Sequence, residues 1–168
     1  MTHPSSSIEA PANAPALPGL LLFAHGARDP LWAQPFEAVA ALCRGVRGEH
    51  QVALAFLEFM TPDLIAAGHA LAAQGCRAVE VVPLFLGAGG HVRKDIPVLM
   101  ARLQTELPEV AFSLRPAVGV APAVICAMAA VALGHPAVPA AELAVPAVPA
   151  VPAVPAALAA TAATATPA

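Results

Sequence analysis

The chain has 168 residues, a formal net charge of −3 and only 11% charged residues, where a soluble domain usually has about 25%. Its mean hydropathy is +0.72, and its length fits one domain with or without a tail. The slight acidity disfavours general nucleic-acid binding, which needs a basic surface. Tyrosine is absent and Trp32 is the single tryptophan, so aromatic platforms for stacking bases are missing as well.

Targeting signals and cysteines favour the cytoplasm. The N-terminal residues have no basic segment of the kind that opens a signal peptide. The uncharged stretch 116–141 is interrupted by four prolines and rich in alanine, which favours a buried helix over a membrane span. The cysteines are three, widely spaced and without a CxxC pair, which predicts buried free thiols in a reducing compartment. They are Cys43, Cys76 and Cys126.

Composition divides the chain into three segments. Residues 1–18 are rich in Pro, Ala and Ser and are predicted to be disordered. Residues 19–134 alternate apolar runs with helix-like segments and form the predicted folded domain. Residues 135–168 are of low complexity, with Ala-Val-Pro repeats over 144–155. Recurrent proline blocks helix and sheet, so this tail is a spacer, a weak docking segment or a neutral extension.

Four strand–helix units follow one another in the predicted domain. Asp29-Pro30 and Thr61-Pro62 each place an N-capping residue before a proline, which is typical of a helix start. Gly75 is typical of a helix end. The first two units are therefore strand Leu20–Ala24, a helix from Asp29 to about Val46, strand Val52–Leu57 and a helix from Thr61 to about Ala73.

The third strand, Ala78–Phe85, is nearly continuously apolar, which predicts burial on both faces. A glycine-rich loop follows, and Asp95 is the predicted N-cap of the next helix, which ends at Leu107 before a proline. Strand Val110–Leu114 and a last helix over 122–133 complete the pattern. Alternation of this kind predicts an α/β domain, with a parallel four-stranded sheet flanked by helices.

His25, Glu58 and His91 lie at equal intervals of 33 residues along these units. A strand, a helix and their connections take roughly 30 residues, so the three side chains are expected at the same end of consecutive parallel strands. Open α/β sheets bind ligands at that end. Two imidazoles and a carboxylate there have the chemistry to hold a divalent metal or to transfer protons.

The neighbours of these three residues are small or cationic. Gly26 follows His25 and permits a sharp turn, and Arg28 can bind an anion. The run of small residues 87–90 before His91 leaves space for a large flat ligand, and two cations follow it. The predicted substrate-binding residues are Arg28, Gly89, Gly90, Arg93 and Lys94. The other histidines, His3, His50, His69 and His135, are predicted to be structural or solvated.

The segment 20–133 resembles the small chelatases of the CbiX type, which are sirohydrochlorin cobalto- or ferrochelatases of the class II chelatase superfamily. The most specific part runs from Pro83-Leu84-Phe85-Leu86 through His91 to Asp95-Ile96-Pro97. The opening His25-Gly26-Ala27-Arg28 fits with one departure, because the family usually has serine at the position of Ala27. That change removes a hydroxyl but no metal ligand.

The resemblance implies a single flavodoxin-like domain that inserts Co²⁺, Fe²⁺ or Ni²⁺ into sirohydrochlorin, for cobalamin or siroheme synthesis. It implies that His25 and His91 bind the metal and act in catalysis, assisted by Glu58. It also implies a homodimer, because the short family members correspond to one half of a two-lobed chelatase. No organic cofactor is expected, since the chain has neither a P-loop nor a GxGxxG motif.

The same residues are compatible with three alternatives to a sirohydrochlorin chelatase. A divalent-metal carrier would use the same His/Glu site but would need neither the small-residue loop nor the nearby cations. A phosphatase with His25 as nucleophile is disfavoured because such enzymes have arginine where Ala24 stands. A protoporphyrin ferrochelatase is disfavoured because those chains are about twice as long and their substrate is less acidic.

Overall fold

The computed structural model describes residues 18–87 and 90–134, with the backbone alone at 90–93. The predicted disordered segment 1–18, apart from Pro18, and the predicted tail 135–168 lie outside these residues. Pro18 is bound to the domain, because its carbonyl oxygen accepts a hydrogen bond of 2.8 Å from Arg47 Nη1.

Four parallel strands form one sheet in the order β2-β1-β3-β4. Along the sequence, the four strands alternate with four α-helices, as predicted. The α/β fold class is confirmed. The elements are β1 Gly19–Ala24, α1 Gln34–Arg47, β2 Val52–Phe56, α2 Leu64–Ala73, β3 Ala78–Pro83, α3 Gly90–Glu106, β4 Ala111–Leu114 and α4 Pro122–Leu133.

The central strand β1 is buried along its whole length. Successive side chains of a strand point to opposite faces, so β1 contributes to two separate apolar clusters. Leu21 and Phe23 pack with residues of α2 and α3. Leu20 and Leu22 pack on the other face, with residues of α1. Each face therefore requires its own layer of helices.

The first helical segment begins where the sequence predicts. The Asp29 carboxylate accepts a hydrogen bond of 2.9 Å from Leu31 N–H, and Pro30 occupies the first helical position. The opening turn over Pro30–Ala33 is a 3-10 helix, and α1 continues from it. The N-cap prediction is confirmed for this unit.

The predicted start of α2 at Thr61 is wrong by two residues. Asp63 is the N-cap, and its carboxylate accepts a 2.7 Å hydrogen bond from Ala66 N–H. The Pro62 carbonyl oxygen accepts a hydrogen bond of 2.9 Å from Phe56 N–H, and Asp63 forms a parallel bridge with Phe56. This pairing with the end of β2 keeps the chain extended until Asp63.

The predicted start of α3 at Asp95 is also wrong, since the helix begins at Gly90 and contains His91 in its first turn. Asp95 is therefore not an N-cap, and Pro97 lies inside the helix, where its missing N–H removes one backbone hydrogen bond. Burial of Ile96 and Leu103 on the sheet supports the helix on both sides of the proline. This tertiary packing outweighs the local signals.

Strand β3 is shorter and less buried than its apolar sequence predicts. It ends at Pro83, so Phe85 lies in the following loop. Ala78 is exposed, and from Val79 onward the residues alternate between buried and half-buried, because the sheet face toward α1 is incompletely covered. A groove of about 500 Å³ remains there, between α1, β1 and β3.

The remaining boundaries agree closely with prediction. Helix α4 spans the predicted residues and ends at Leu133, and the following Gly134 has the left-handed backbone of a C-terminal cap. Gly75 follows α2 with a φ of 89°, as its role as a stop signal predicts. Strand β2 ends one residue earlier and β4 begins one residue later than predicted.

Helices α2 and α3 are joined by a surface cluster. His69 Nε2 lies 2.9 Å from Glu106 Oε2, and Arg102 Nε donates a 2.6 Å hydrogen bond to Glu106 Oε1. The hydrogen bond with His69 and, to a smaller extent, that with Arg102 hold the pKa of the Glu106 carboxyl below its usual value. The structural role predicted for His69 agrees with this contact.

Two expectations from composition concern the cell environment. Within the described part of the chain, no helix is long and apolar enough to cross a membrane, and α4 has 12 residues. All three cysteines are free thiols. Cys126 is buried, while Cys43 and Cys76 are half-buried.

We expect Asp63→Ala to lower the free energy of unfolding by about 1 kcal/mol, because it removes the side-chain acceptor at the start of α2. Urea denaturation followed by circular dichroism measures the change. Asp95→Ala is the matched control: this residue lies within α3, and its replacement should be neutral or slightly stabilising. An equal loss in both variants would contradict Asp63 as the N-cap of α2 and the position of Asp95 inside α3.

Candidate functional site

The order of the strands locates a crevice at the carboxyl edge of the sheet. Strand β1 lies between β2 and β3, so the connections that leave β1 and β3 cross to opposite sides. Open α/β sheets bind ligands beside such a reversal of strand order. In this chain, the described segments at that point are 25–29 after β1 and 84–87 after β3.

Backbone pairing places His25 and Glu58 side by side at this edge. Leu57 N–H donates a 2.9 Å hydrogen bond to the Ala24 carbonyl, and Glu58 N–H donates one of 3.0 Å to the His25 carbonyl. The ladder between β1 and β2 thus continues one step past each strand. His25 is half-buried and Glu58 is exposed, as expected for residues leaving a buried sheet. The structure therefore brings these two predicted site residues together.

Gly26 is required by the close approach of these two segments. Its φ is +85°, and a Cβ atom at this position would overlap the Glu58 carbonyl oxygen. Only glycine has neither the conformational restriction nor the side-chain volume that would prevent this contact. The glycine that the sequence marked as a turn thus also allows the backbones of His25 and Glu58 to pair.

The imidazole of His25 packs on an aromatic side chain that the sequence analysis placed in a strand. Its ring centroid lies 4.4 Å from that of Phe85, with the planes inclined by 45°. Phe85 in turn contacts Phe23 edge-to-face at 5.6 Å. Phe85 is only 2% exposed, so His25 rests on a fixed part of the core. The sequence feature that indicates this role is an aromatic residue just after β3, near the edge of the sheet where a ligand is predicted to bind.

Arg28 and Phe59 form a second pair at this edge. The Arg28 Cζ atom lies 4.9 Å from the Phe59 ring centroid, a cation–π distance. Phe59 is 59% exposed and has a φ of +61°, which is unusual for a bulky residue. The stacked guanidinium keeps its edge N–H groups available for an anion. Sequence reasoning predicted Arg28 but missed Phe59.

Glu58 is exposed, so its carboxylate does not need the structural partner that a buried acid requires. Among the side chains that the structure describes, no cation forms a salt bridge with it. Because the residue is exposed, water solvates the carboxylate, and the cost of burying a charge does not arise. The carboxylate is therefore solvated, while the backbone of the same residue is paired with that of His25.

The third predicted residue, His91, is the second residue of α3, a helix that follows β3 from the carboxyl edge of the sheet. Its side chain and that of Arg93 lie outside the described part of the structure, as does Gly89. Gly90 is the first residue of α3 and Lys94 is exposed. Among the side chains that are described, no three His, Cys, Asp or Glu residues converge as a metal site. The ligand roles of His25 and His91 thus remain predictions.

Comparison with known proteins is consistent with this geometry. The CbiX family model matches residues 19–132, from β1 into α4. The chain belongs to the CbiX family. The predicted resemblance is thereby confirmed.

Among curated relatives, the sirohydrochlorin cobaltochelatase of Methanothermobacter thermautotrophicus is 34% identical over 82 residues, covering 49% of this chain and 57% of the relative. The enzyme of the same name from Saccharolobus islandicus strain L.S.2.15 is 37% identical, covering 49% and 62%. This CbiX chain therefore matches less than two thirds of the length of these relatives.

Solved structures show the same fold. A cobalamin (vitamin B12) biosynthesis CbiX protein from Marinobacter aquaeolei VT8 has a TM-score of 0.61 and 34% identity, covering 69% of this chain and 94% of that one. The sirohydrochlorin chelatase SirB from Bacillus subtilis subspecies spizizenii, in complex with cobalt, has a TM-score of 0.59 and 25% identity. That match covers 68% of this chain and 49% of SirB.

We expect Gly26→Ala to destabilise the protein by at least about 2 kcal/mol, because the methyl group overlaps the Glu58 carbonyl and forces the two loops apart. Urea denaturation measures the loss.

Gly75→Ala is the matched control for Gly26→Ala. Gly75 has a nearly identical φ of +89°, and a Cβ atom there meets nothing within 4 Å. It should show only the conformational penalty of about 1 kcal/mol. If both variants lost the same stability, the contact between Gly26 and Glu58 would have no energetic role.

Proposed function

We propose that this CbiX protein is a sirohydrochlorin chelatase that inserts Co²⁺, or alternatively Fe²⁺ or Ni²⁺, into the tetrapyrrole. The observation that carries the proposal is the position of His25 at the carboxyl end of the strand where the strand order reverses, with Glu58 paired to its backbone. The names of the family relatives support the substrate and the reaction.

The reaction exchanges two protons for one metal ion. Sirohydrochlorin releases the protons of its two pyrrole N–H groups as M²⁺ binds the four ring nitrogens, and water ligands leave the metal. The site must therefore offer a weak, exchangeable metal ligand and proton acceptors near neutral pH. Neutral imidazole meets both requirements.

We assign both roles to His25 and His91, which present the metal and accept protons. Glu58 orients an imidazole or transfers protons to solvent. The exposure of Glu58 supports the transfer of protons to solvent. Packing on Phe85 restricts His25 to one region of the crevice. A ligand fixed in this way can release the metal to the ring without first being reoriented.

Peripheral carboxylates of sirohydrochlorin would be bound by Arg28, Arg93 and Lys94 through charge-assisted hydrogen bonds. Arg28 supports this proposal because its guanidinium is stacked on Phe59 and exposed at the edge of the sheet. Gly89 and Gly90 precede His91 without side-chain bulk, which would permit close approach of a flat macrocycle.

The metal is a substrate of this reaction, and no organic cofactor is part of the proposal. Cobalt is supported by the names of the curated relatives and by the cobalt complex of SirB. A second SirB structure, 26% identical to this chain, contains Fe³⁺. Imidazole and carboxylate ligands accept several of these metals, so the assay must rank them. A cytoplasmic location is proposed as well, supported by the three free cysteines.

We propose further that the chain acts as a homodimer. It matches 49% of the SirB chain, so two copies would supply the length of the longer enzyme. The face of α1 supports an interface, since Leu42 is 75% and Val46 is 86% exposed beside the groove that α1 forms with β1 and β3. Contiguous apolar surface of this kind commonly marks a protein contact.

We expect anaerobic absorbance assays with sirohydrochlorin and Co²⁺ to show metallation above the uncatalysed rate. His25→Ala and His91→Ala should each lower kcat by at least about 100-fold, because each removes a ligand and proton acceptor. Fe²⁺ and Ni²⁺ in parallel cuvettes rank the metals.

The control for these variants is His50→Ala, at an exposed position on the turn before β2, at the opposite edge of the sheet. It should retain full activity. Full activity of His91→Ala would refute the assignment of that residue. Metal binding without any acceleration would favour the carrier function instead.

We expect multi-angle light scattering after gel filtration to give twice the 16.8 kDa mass of the chain. Leu42→Glu combined with Val46→Glu should shift the protein to the monomer, because charges on this face oppose burial. The matched control is Val98→Glu on α3, which is 68% exposed but away from the groove. A monomer in the unaltered protein would exclude the dimer.

A further inference from the structure

The loop after β3 is held in place by a glycine from a distant part of the chain. Gly119 lies in the 3-10 turn Val118–Val120 after β4, and its N–H donates a 2.9 Å hydrogen bond to the Phe85 carbonyl. A Cβ atom on Gly119 would overlap the backbone of Leu86. The two backbones are therefore packed against each other, with no space for a side chain on Gly119.

This contact fixes a side chain that reaches the proposed site. Phe85 is 2% exposed, packs edge-to-face on Phe23 and supports the imidazole of His25 at a centroid distance of 4.4 Å. Leu86, the next residue, is 65% exposed at the same edge. The chain thus passes from the buried Phe85 to the exposed Leu86 in one step. The hydrogen bond from Gly119 is made at this point.

We infer that Phe85 is a positioning residue for His25 and that Gly119 maintains this position through the backbone of residues 85 and 86. The inference rests on the proposed function, because it assigns to these residues the orientation of the imidazole that presents the metal. Phe85 contacts neither metal nor tetrapyrrole in this account. It acts only by restricting the orientations open to the His25 ring.

The physical reason is the sensitivity of metal transfer to geometry. A displacement of about 1 Å in a reacting group can lower a rate by about 100-fold. An imidazole that packs on a buried ring has few orientations, whereas one that faces a smaller aliphatic side chain has more. Loss of the ring should therefore affect the rate of insertion more than the binding of sirohydrochlorin, which involves other residues.

The first test is Phe85→Leu in the full-length protein, with Phe85→Met as a second variant if the first does not fold. We expect kcat for Co²⁺ insertion to fall by about 10- to 100-fold while KM for sirohydrochlorin changes less than about twofold. The ring protons of His25 should also shift in the NMR spectrum, because they lose the ring current of Phe85. Phe112→Leu on β4 is the matched control and should leave both quantities unchanged.

The second test is Gly119→Ala, with Gly45→Ala as its control. Gly45 lies in α1, and a Cβ atom there meets nothing within 4 Å. Gly119→Ala should reproduce the fall in kcat and the shift of the His25 protons, whereas Gly45→Ala should not. Since both substitutions act through one contact, their effects should not add. The kcat of the double variant Phe85→Leu/Gly119→Ala should lie within about twofold of that of the slower single variant.

The outcomes separate this inference from the proposed function. If His25→Ala abolishes insertion but Phe85→Leu retains full kcat, the positioning role is refuted and the chelatase function stands. Multiplicative losses in the double variant would refute the path from Gly119 through Phe85. If His25→Ala leaves insertion unchanged, the proposed role of His25 fails, and the positioning role fails with it.

Discussion

The parallel pairing of β1 with its two neighbours is the constraint on which the site depends. Backbone hydrogen bonds align β1 with β2 on one side and with β3 on the other, and they continue past the end of β1 at Ala24 and His25. Because the strand is buried on both faces, a shift of one residue would exchange its side chains between the two apolar clusters and disrupt the packing of both. The position of His25 relative to Glu58 follows directly from this alignment.

The two faces of the sheet are covered to different degrees. The face toward α2 and α3 carries the larger core, which includes Phe85 and so supports His25 from below. The face toward α1 retains a groove and exposed apolar residues such as Val46. The fixed core beneath the imidazole supports the proposed role of His25, and the incompletely covered opposite face supports the proposed dimer.

The residues of the proposed site lie on loops that the sheet brings together. His25, Glu58 and Phe85 each follow a different strand, and none is close to another in sequence. Burial of Phe85 limits the freedom of one imidazole, whereas exposure of Glu58 leaves its carboxylate in contact with water. One side of the site is therefore restrained and the other solvated, which suits the proposed transfer of a metal to the tetrapyrrole and of protons to solvent.

The sequence by itself determined the number and order of the elements, the parallel sheet and the edge at which His25 and Glu58 meet, since hydrophobic runs and strand–helix spacing are local properties of the chain. Only the tertiary structure decided the start of α2 at Asp63, the extension of α3 back to Gly90 and the roles of Phe85 and Gly119. These features arise from contacts between residues distant in sequence, and no local pattern encodes such contacts.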